Sequence, residues 1–428
     1  MKDYPTYKDS GVQWLAEVPS SWNVFPAKQV FADSKERRRT GDTFLTASQK
    51  YGVISQQRYM QLIGGRIVQA SQDFDKWKHV EPDDFVISLR SFQGGLEMCA
   101  ERGCVTWHYV VLKPKMEIIP LYFKWLFKSF SYIKSLQSTC NFIRDGQDLR
   151  YSNFVQVPIP FPPLTEQKTI ASFLDKKCAE IDELVSRRLA IIERLKELKQ
   201  SIIADAVTKG LNPDVPMKES GIDWIPAIPV HWKVVRLRNL LHKTTEKGRP
   251  DLPLLSVVRE LGVILRDVES KEENHNYIPN DLSNYKVLRE SQFVINKMKA
   301  WQGSYSVSSL TGIVSPAYFI YDVDYSGLMS QFFHTAIRSK AYIGFFNQAS
   351  DGVRVGQWDL DEAQMRNIPL FVPTLEEQNA IVAYLDKKCA EIDELISRHE
   401  RTIEKLKELK TSTIANVVTG KLDVRAGI

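Results

Sequence analysis

Hydrophobic positions along this chain keep two rhythms, and each rhythm occurs twice. From Ile181, apolar side chains fall at Leu184, Ile191, Leu195, Leu198 and Ile202, at intervals of three and four or their sum. Arg188 interrupts this stripe, as do His399 and Thr402 in a second copy. Lys176, Lys177, Glu180, Glu193, Lys196 and Glu197 leave a solvated back face. The spacing predicts long amphipathic helices. Prolines bound them on the N-terminal side (Pro160, Pro162, Pro163; Pro369, Pro373), and Thr374 with Glu377 forms a capping box. Gly210 and Gly420 stand where C-caps belong. Such a helix would reach roughly 60 Å, and it cannot bury its stripe alone. Two near-copies in one chain can pair with each other.

The second rhythm is that of short strands. DFVISL (Asp84–Leu89) and QFVINK (Gln292–Lys297) are β-rich runs that lead into glycine-containing turns. They lie in two long segments, about Asn23–Val157 and Lys233–Asn367, that read as mixed strand and helix.

Internal repetition organises the whole chain. Leu174–Arg187 and Leu385–Arg398 differ only at Val185 against Ile396. KDSGVQWL (Lys8–Leu15) answers KESGIDWI (Lys218–Ile225), and PIPFPPLTEQ (Pro158–Gln167) parallels IPLFVPTLEEQ (Ile368–Gln378). Fainter echoes survive between the blocks: LTASQKYGVI with LSVVRELGVI, SFQGG with AWQGS, RDGQDL with RVGQWDL. The expected division is therefore residues 1–160 and 211–370 as two mixed α/β domains, with 161–210 and 371–428 as the helical blocks. Sameness within the helices extends to solvated positions: Lys176/Lys387, Lys177/Lys388, Asp182/Asp393 and Glu183/Glu394. Packing fixes only a seam, so a shared exposed face points to two identical partner subunits, one on each half. The alternative is a recent duplication without selection on that face.

Composition narrows this picture little. The chain has 428 residues, 43% of them hydrophobic and 25% charged, which is the balance of a folded protein of several domains. A net charge of +5 permits a polyanionic partner without demanding one. Five cysteines without a CxxC pair argue against a disulfide framework or a zinc site, and a reducing cytoplasm is expected. The most apolar run, Ile118–Phe127, carries Lys124 and is too short to span a bilayer.

The arrangement resembles the specificity subunit of type I restriction-modification enzymes. The residues carrying the resemblance are the opening blocks (Gly11, Trp14, Pro19, Trp22; Gly221, Trp224, Pro229, Trp232) and the helix starts Pro163-Leu164-Thr165-Glu166-Gln167 and Thr374-Leu375-Glu376-Glu377-Gln378. It implies an α+β fold in which two target recognition domains are held apart by two long antiparallel helices, an internal two-fold pseudo-repeat. It further implies that each domain reads half of a split, asymmetric DNA site and that two adenine-N6 methyltransferase subunits dock on the helices. Those subunits would bring the S-adenosylmethionine, with a translocating nuclease subunit for cleavage and no cofactor or catalysis on this chain. The sequence holds no Asn/Asp-Pro-Pro-Tyr/Phe tetrapeptide and no Walker loop. Pro82-Asp83-Asp84 lacks a following Glu-x-Lys and reads as a solvated turn. Two other readings stay open here: a coiled-coil scaffold that binds no DNA, and a methylation-only system.

Phosphate contacts give DNA affinity and base-edge contacts give choice. Candidates for the first are the basic loops with Arg37, Arg38 and Arg39, and with Lys247 and Arg249. For the second, glycine turns let backbone approach a groove while long polar side chains reach in. These are Gln49, Lys50, Arg90, Gln93 and Arg144 in one half, and Arg259, Lys297, Lys299, Gln302 and Arg354 in the other. Gln93/Gln302 and Gln147/Gln357 are shared between halves, which suits satisfaction of buried backbone; positions that differ are better specificity candidates.

Overall fold

A computed structural model describes residues 3–67, 73–88, 91–140, 149–266, 281–354 and 357–425. The chain forms two compact units, Met1–Arg188 with Glu400–Ile428, and Leu189–His399. The division cuts both long helices, Leu164–Lys209 and Leu375–Val418. Each unit thus takes the N-terminal part of one helix and the C-terminal part of the other.

In the first unit a hairpin of Tyr7–Asp9 and Glu17–Pro19 leads into strand Asn23–Phe25, which pairs antiparallel with Ile159–Phe161. That pairing brings both ends of the variable segment together just before the first long helix. Between them lies a four-stranded antiparallel sheet in the order Phe31–Ser34, Val110–Pro114, Phe85–Ile87, Glu97–Met98. Helices Pro120–Lys128 and Phe130–Ser138 follow. The second unit repeats the plan: Lys233–Arg236 pairs with Pro369–Val372, and the sheet runs Leu241–Thr244, Tyr318–Val323, Phe293–Asn296, Tyr305–Val307. Helices Ser330–Ile337 and Lys340–Gln348 complete it.

The central strands read as unbroken apolar runs because both faces of the sheet are covered. Phe85 and Ile87 enter an aromatic cluster with Phe31, Phe123 and Phe127, while Val86 between them enters a second cluster with Leu45, Val53 and Val111. Phe293 and Ile295 divide from Val294 in the same way. Alternation is present, but each side finds a core.

The long helices pair inside each unit. In the first, Ile170, Ala171, Leu174 and Cys178 pack with Ile414, Val417 and Val418; in the second, Ala206 and Val207 share a core with Ile381, Val382 and Leu385. The early part of one helix meets the late part of the other, so the pairing is antiparallel. The inward row differs from the predicted stripe: Leu184, Ile191 and Leu198 are 45%, 39% and 50% exposed. The less exposed row is Ile181, Val185, Arg188, Ile192, Leu195 and Lys199, matched by Ile392, Ile396, His399, Ile403, Leu406 and Lys410. Its strict alternation of four and three keeps a heptad seam in line, whereas Leu184, Ile191 and Leu198 each lie one position off it. Arg188 and His399 therefore belong to the seam.

Both opening blocks are clasped to the helices through one motif. Glu166 accepts a hydrogen bond from Trp22 Nε1 at 3.0 Å and another from the Tyr4 hydroxyl, and Gln167, fully buried, accepts from Ile119 N at 3.0 Å and donates to Pro162 O at 2.9 Å. In the second unit Glu377 accepts from Trp232 Nε1 at 3.5 Å, and Gln378 bridges Met329 N and Pro373 O. The expected capping box is present, with Glu377 N on Thr374 Oγ1 at 3.3 Å and Thr374 N on Glu377 Oε2 at 3.1 Å. Gly210 and Gly420 adopt φ of +77° and +75°. Trp232 lies against Gly210 and Trp22 against Gly420, so each opening tryptophan joins the start of one helix to the end of the other.

Candidate nucleic-acid interface

Two hairpins carry the residues that differ most between the halves. Leu45–Ser48 pairs with Gly52–Ser55 and presents Gln49, Lys50 and Tyr51 at its tip; Leu255–Val258 pairs with Gly262–Leu265 and presents Arg259, Glu260 and Leu261. Gly52 and Gly262 hold φ of +74° and +77°, in the left-handed region that favours glycine. A Cβ on Gly52 would stand 2.9 Å from Met98 O, and one on Gly262 2.8 Å from Ser306 Oγ. The glycines thus let each tip press against the edge of its sheet.

The tips meet the second predicted loop of each half. The Gln49 side chain covers Gly94, where a Cβ would lie 2.5 Å from its Cδ, and Gln93 precedes that glycine in the short helix Ser91–Gly94. Arg259 Cγ would lie 3.9 Å from a Cβ on Gly303, which ends the turn Ala300–Gln302 capped by Lys299. Gln93 is exposed and Gln302 half-buried. Lys50, Arg259 and Lys299 are exposed, while Lys297 is drawn into an ion pair with Asp359 at 3.1 Å. Arg354 ends the strand Ser350–Arg354, opposite Gln357. Arg90, Arg144 and Gln147 lie outside the described residues.

The basic loops occupy equivalent stations, since Arg37 bridges to Lys78 and Lys247 to Lys286. Their charges are not equally free. Arg39 bonds Glu36 at 2.7 Å and Glu81 at 3.1 Å, and Arg249 grips Asp251 through two contacts of 2.8 and 2.7 Å. Arg37 instead donates to the neutral Lys76 carbonyl at 2.9 Å, Arg38 lies over the Phe44 ring at 4.9 Å, and Lys247 is exposed. Among the described residues these three make no ion pair. Lys78 and Lys286, which sequence reasoning passed over, donate to Tyr109 O and Tyr318 O at 2.6 and 2.5 Å. Burial pulls both ammonium groups below their usual range; the nearby cations Lys35 and Arg37, or Lys243 and Lys247, add to the effect.

His79 was not legible as a site residue at all. Fully buried, it sets Nδ1 2.8 Å from Asp42 and Nε2 2.8 Å from Glu81, while Asp42 also accepts from Arg39 N at 2.7 Å. This ties the basic loop of the first unit down. In the second unit the matching residue is the buried Val287, and Glu246 holds Arg289 instead. The Pro82-Asp83-Asp84 turn is tight, as expected, yet Asp84 is 5% exposed, not solvated, because its carboxylate caps Glu81 N at 2.9 Å.

On the long helices, Lys176 and Lys387 are exposed. Lys177 and Lys388 pair with Glu180 and Glu391 at 3.1 and 2.8 Å, and Glu183 and Glu394 with Arg187 and Arg398 at 2.5 and 2.8 Å. Asp182 and Asp393 turn to the chain's other helix, to Lys410 and Lys199 at 2.6 and 2.7 Å. Cys178 is buried and Cys389 half-buried, with both thiols raised by burial, Cys178 to about 11. Among the described residues no helix is long and apolar enough to cross a membrane.

The structure is one α/β frame built twice, with unlike side chains at the same hairpin tip. Residues 19–194 match the family described as the type I restriction modification DNA specificity domain. Over that stretch the chain is similar to the specificity subunits of type I restriction-modification systems. It is 25% identical over 324 residues to the specificity subunit of the type I restriction enzyme StySPI of Salmonella potsdam, covering 73% of this chain and 67% of that one. Its fold is similar to a chain of a type I restriction-modification assembly solved to explain complex assembly and conformational transition (TM-score 0.65, 16% identity, 95% of this chain and 99% of that one). It is also similar to the HsdS subunit of Thermoanaerobacter tengcongensis (TM-score 0.52, 16% identity, 95% and 98%).

Proposed function

We propose that this subunit reads a split, asymmetric DNA site with one hairpin-bearing module per half, and that it does so without catalysing a reaction. The observation carrying this reading is the contrast between frame and tip. Sheet order, strand pairing and the Trp–Glu clasp repeat, while Gln49-Lys50-Tyr51 stands against Arg259-Glu260-Leu261. Arginine suits guanine and glutamine suits adenine, each through two hydrogen bonds worth roughly 1–3 kcal/mol of discrimination. Arg37, Arg38 and Lys247 supply phosphate contacts at equivalent stations, which makes binding salt-dependent. The duplicated outer face of the helices, with Lys176 and Lys387, receives two adenine-N6 methyltransferase subunits; these carry S-adenosylmethionine, and a nuclease subunit joins them for cleavage in the cytoplasm.

The test is methylation sequencing of DNA from cells that express the chain with its methyltransferase subunit. A bipartite adenine-methylated motif is expected, and replacing residues 23–157 by the corresponding segment of another specificity subunit should change one half of it. A motif with a single contiguous block, or a replacement that changes both halves, would overturn the reading.

A further inference from the structure

Lys128 closes the helix Pro120–Lys128, and Arg338 caps the helix Ser330–Ile337. Each precedes a buried serine, Ser129 or Ser339, and they occupy the same station in the two units. Neither faces outward. Lys128 Nζ donates to the Gln49 carbonyl at 3.3 Å and forms an ion pair with Glu97, whose side chain is 2% exposed. Arg338 donates through Nη2 to the carbonyls of Arg259 and Glu260 at 2.9 and 3.0 Å, and through Nη1 to that of Tyr305 at 2.9 Å. In both units a cation from the end of a helix holds the backbone of the hairpin tip.

Two-stranded hairpins are marginal by themselves, and base-edge hydrogen bonds tolerate little wander. Behind the second tip lies a cleft of about 1390 Å³, lined among others by Arg259, Glu260, Gly303 and Arg338. Arg338 borders this cleft and bridges the tip to the strand Tyr305–Val307. We propose that Lys128 and Arg338 are positioning residues for readout, each fixing the hairpin tip of its own unit and thereby the bases of one half-site without touching DNA. The halves use different chemistry: an ammonium shared between one carbonyl and a buried carboxylate in the first, a planar fork spanning three carbonyls in the second. This rests on the hairpins being readers.

The test uses the full complex, the chain coexpressed with its methyltransferase subunit in a host without other adenine methylation, with methylation sequencing as readout. Lys128→Met should cut discrimination roughly tenfold at one or more bases of one half-site and leave the other half-site intact. Arg338→Met should do the converse. Lys128→Arg should restore the first half-site, because a guanidinium can span Gln49 and Glu97; this rescue keeps the test valid if Lys128→Met also lowers the melting temperature. Uniformly lower methylation with both base preferences unchanged would mean a merely structural role and would overturn the proposal, as would blurring of both half-sites by one variant. A control chain with Gln49→Arg, Lys50→Glu and Tyr51→Leu separates the two readings. If it alters a half-site while Lys128→Met alters neither, positioning alone fails; if it alters neither, the hairpins are not readers.

Discussion

Lys410 on the second long helix donates to both carboxylate oxygens of Asp182 on the first, each at 2.6 Å. The repeat reproduces the contact, with Lys199 on both oxygens of Asp393 at 2.7 Å. Aspartates whose sameness suggested an external partner are thus already engaged by the chain's own helix pairing. All four side chains keep solvent contact, so each pair is worth only about 0.2–1 kcal/mol. Lys410→Asp should lower stability by at least that much in urea denaturation, since it also opposes two carboxylates, and adding Asp182→Lys should restore it. A double variant no more stable than the single one would show that the contact contributes nothing.

If those aspartates serve the chain itself, partner contact falls to side chains that stay outward. Lys176→Glu together with Lys387→Glu should weaken methyltransferase association roughly tenfold, chiefly through its rate and more so at low salt. The fold should be unchanged, because both residues are exposed and lie on the helix face opposite the seam. Size-exclusion chromatography with mass determination reads the subunit ratio. Full assembly at low protein concentration would place the docking face elsewhere.

The clasp between opening block and helix end makes an equally specific demand. Gly420 has φ +75°, and a Cβ there would lie 2.3 Å from Pro19 Cδ and 3.2 Å from Trp22. Gly221 has the same φ, but a Cβ would meet nothing within 4 Å. Gly221→Ala should cost about 1 kcal/mol from backbone strain alone, and Gly420→Ala clearly more, since a ring must also move. Thermal melts of the two variants make the comparison. Equal losses would mean that the clasp yields without cost.

How much of this was legible depends on what repetition can reveal. The duplicated frame, the helix caps and the glycine turns could be read because local signals and internal copies agreed. The seam was misplaced because Leu184, Ile191 and Leu198 are as apolar as true seam residues, while Arg188 and His399, which occupy it, are polar. The Glu-Gln pair at each helix start was visible as a motif, yet its work on Trp22, Trp232 and the preceding backbone is a long-range contact. His79 stands opposite Val287, so comparison of the halves gave no hint of it. Lys128 and Arg338 carry no motif, and their contacts with the hairpin tips are long-range.

The buried carboxylate beside Lys128 makes the first unit sensitive to pH. Glu97 has one oxygen on Lys128 and the other buried without a hydrogen-bond partner among the described residues. Burial outweighs the neighbouring ammonium and pushes its pKa up to about 7. In an unfolded chain a glutamate titrates near roughly 4.3. Between these values the folded state holds more protons than the unfolded one, so this group stabilises fully below the lower value. Its contribution is lost as pH rises towards 7, at up to about 1.4 kcal/mol per pH unit. Glu97→Gln removes that slope. Asp42 and Asp84, lowered and raised respectively, act in both proteins and cancel in the difference. Urea denaturation at pH 5 and pH 8 should therefore show the variant gaining on the parent as pH rises; a constant gap would mean that Glu97 titrates like a surface carboxylate. The same titration bears on readout, because below pH 7 Lys128 loses its charged partner. Discrimination should then fall on acidification at the half-site that the first unit reads.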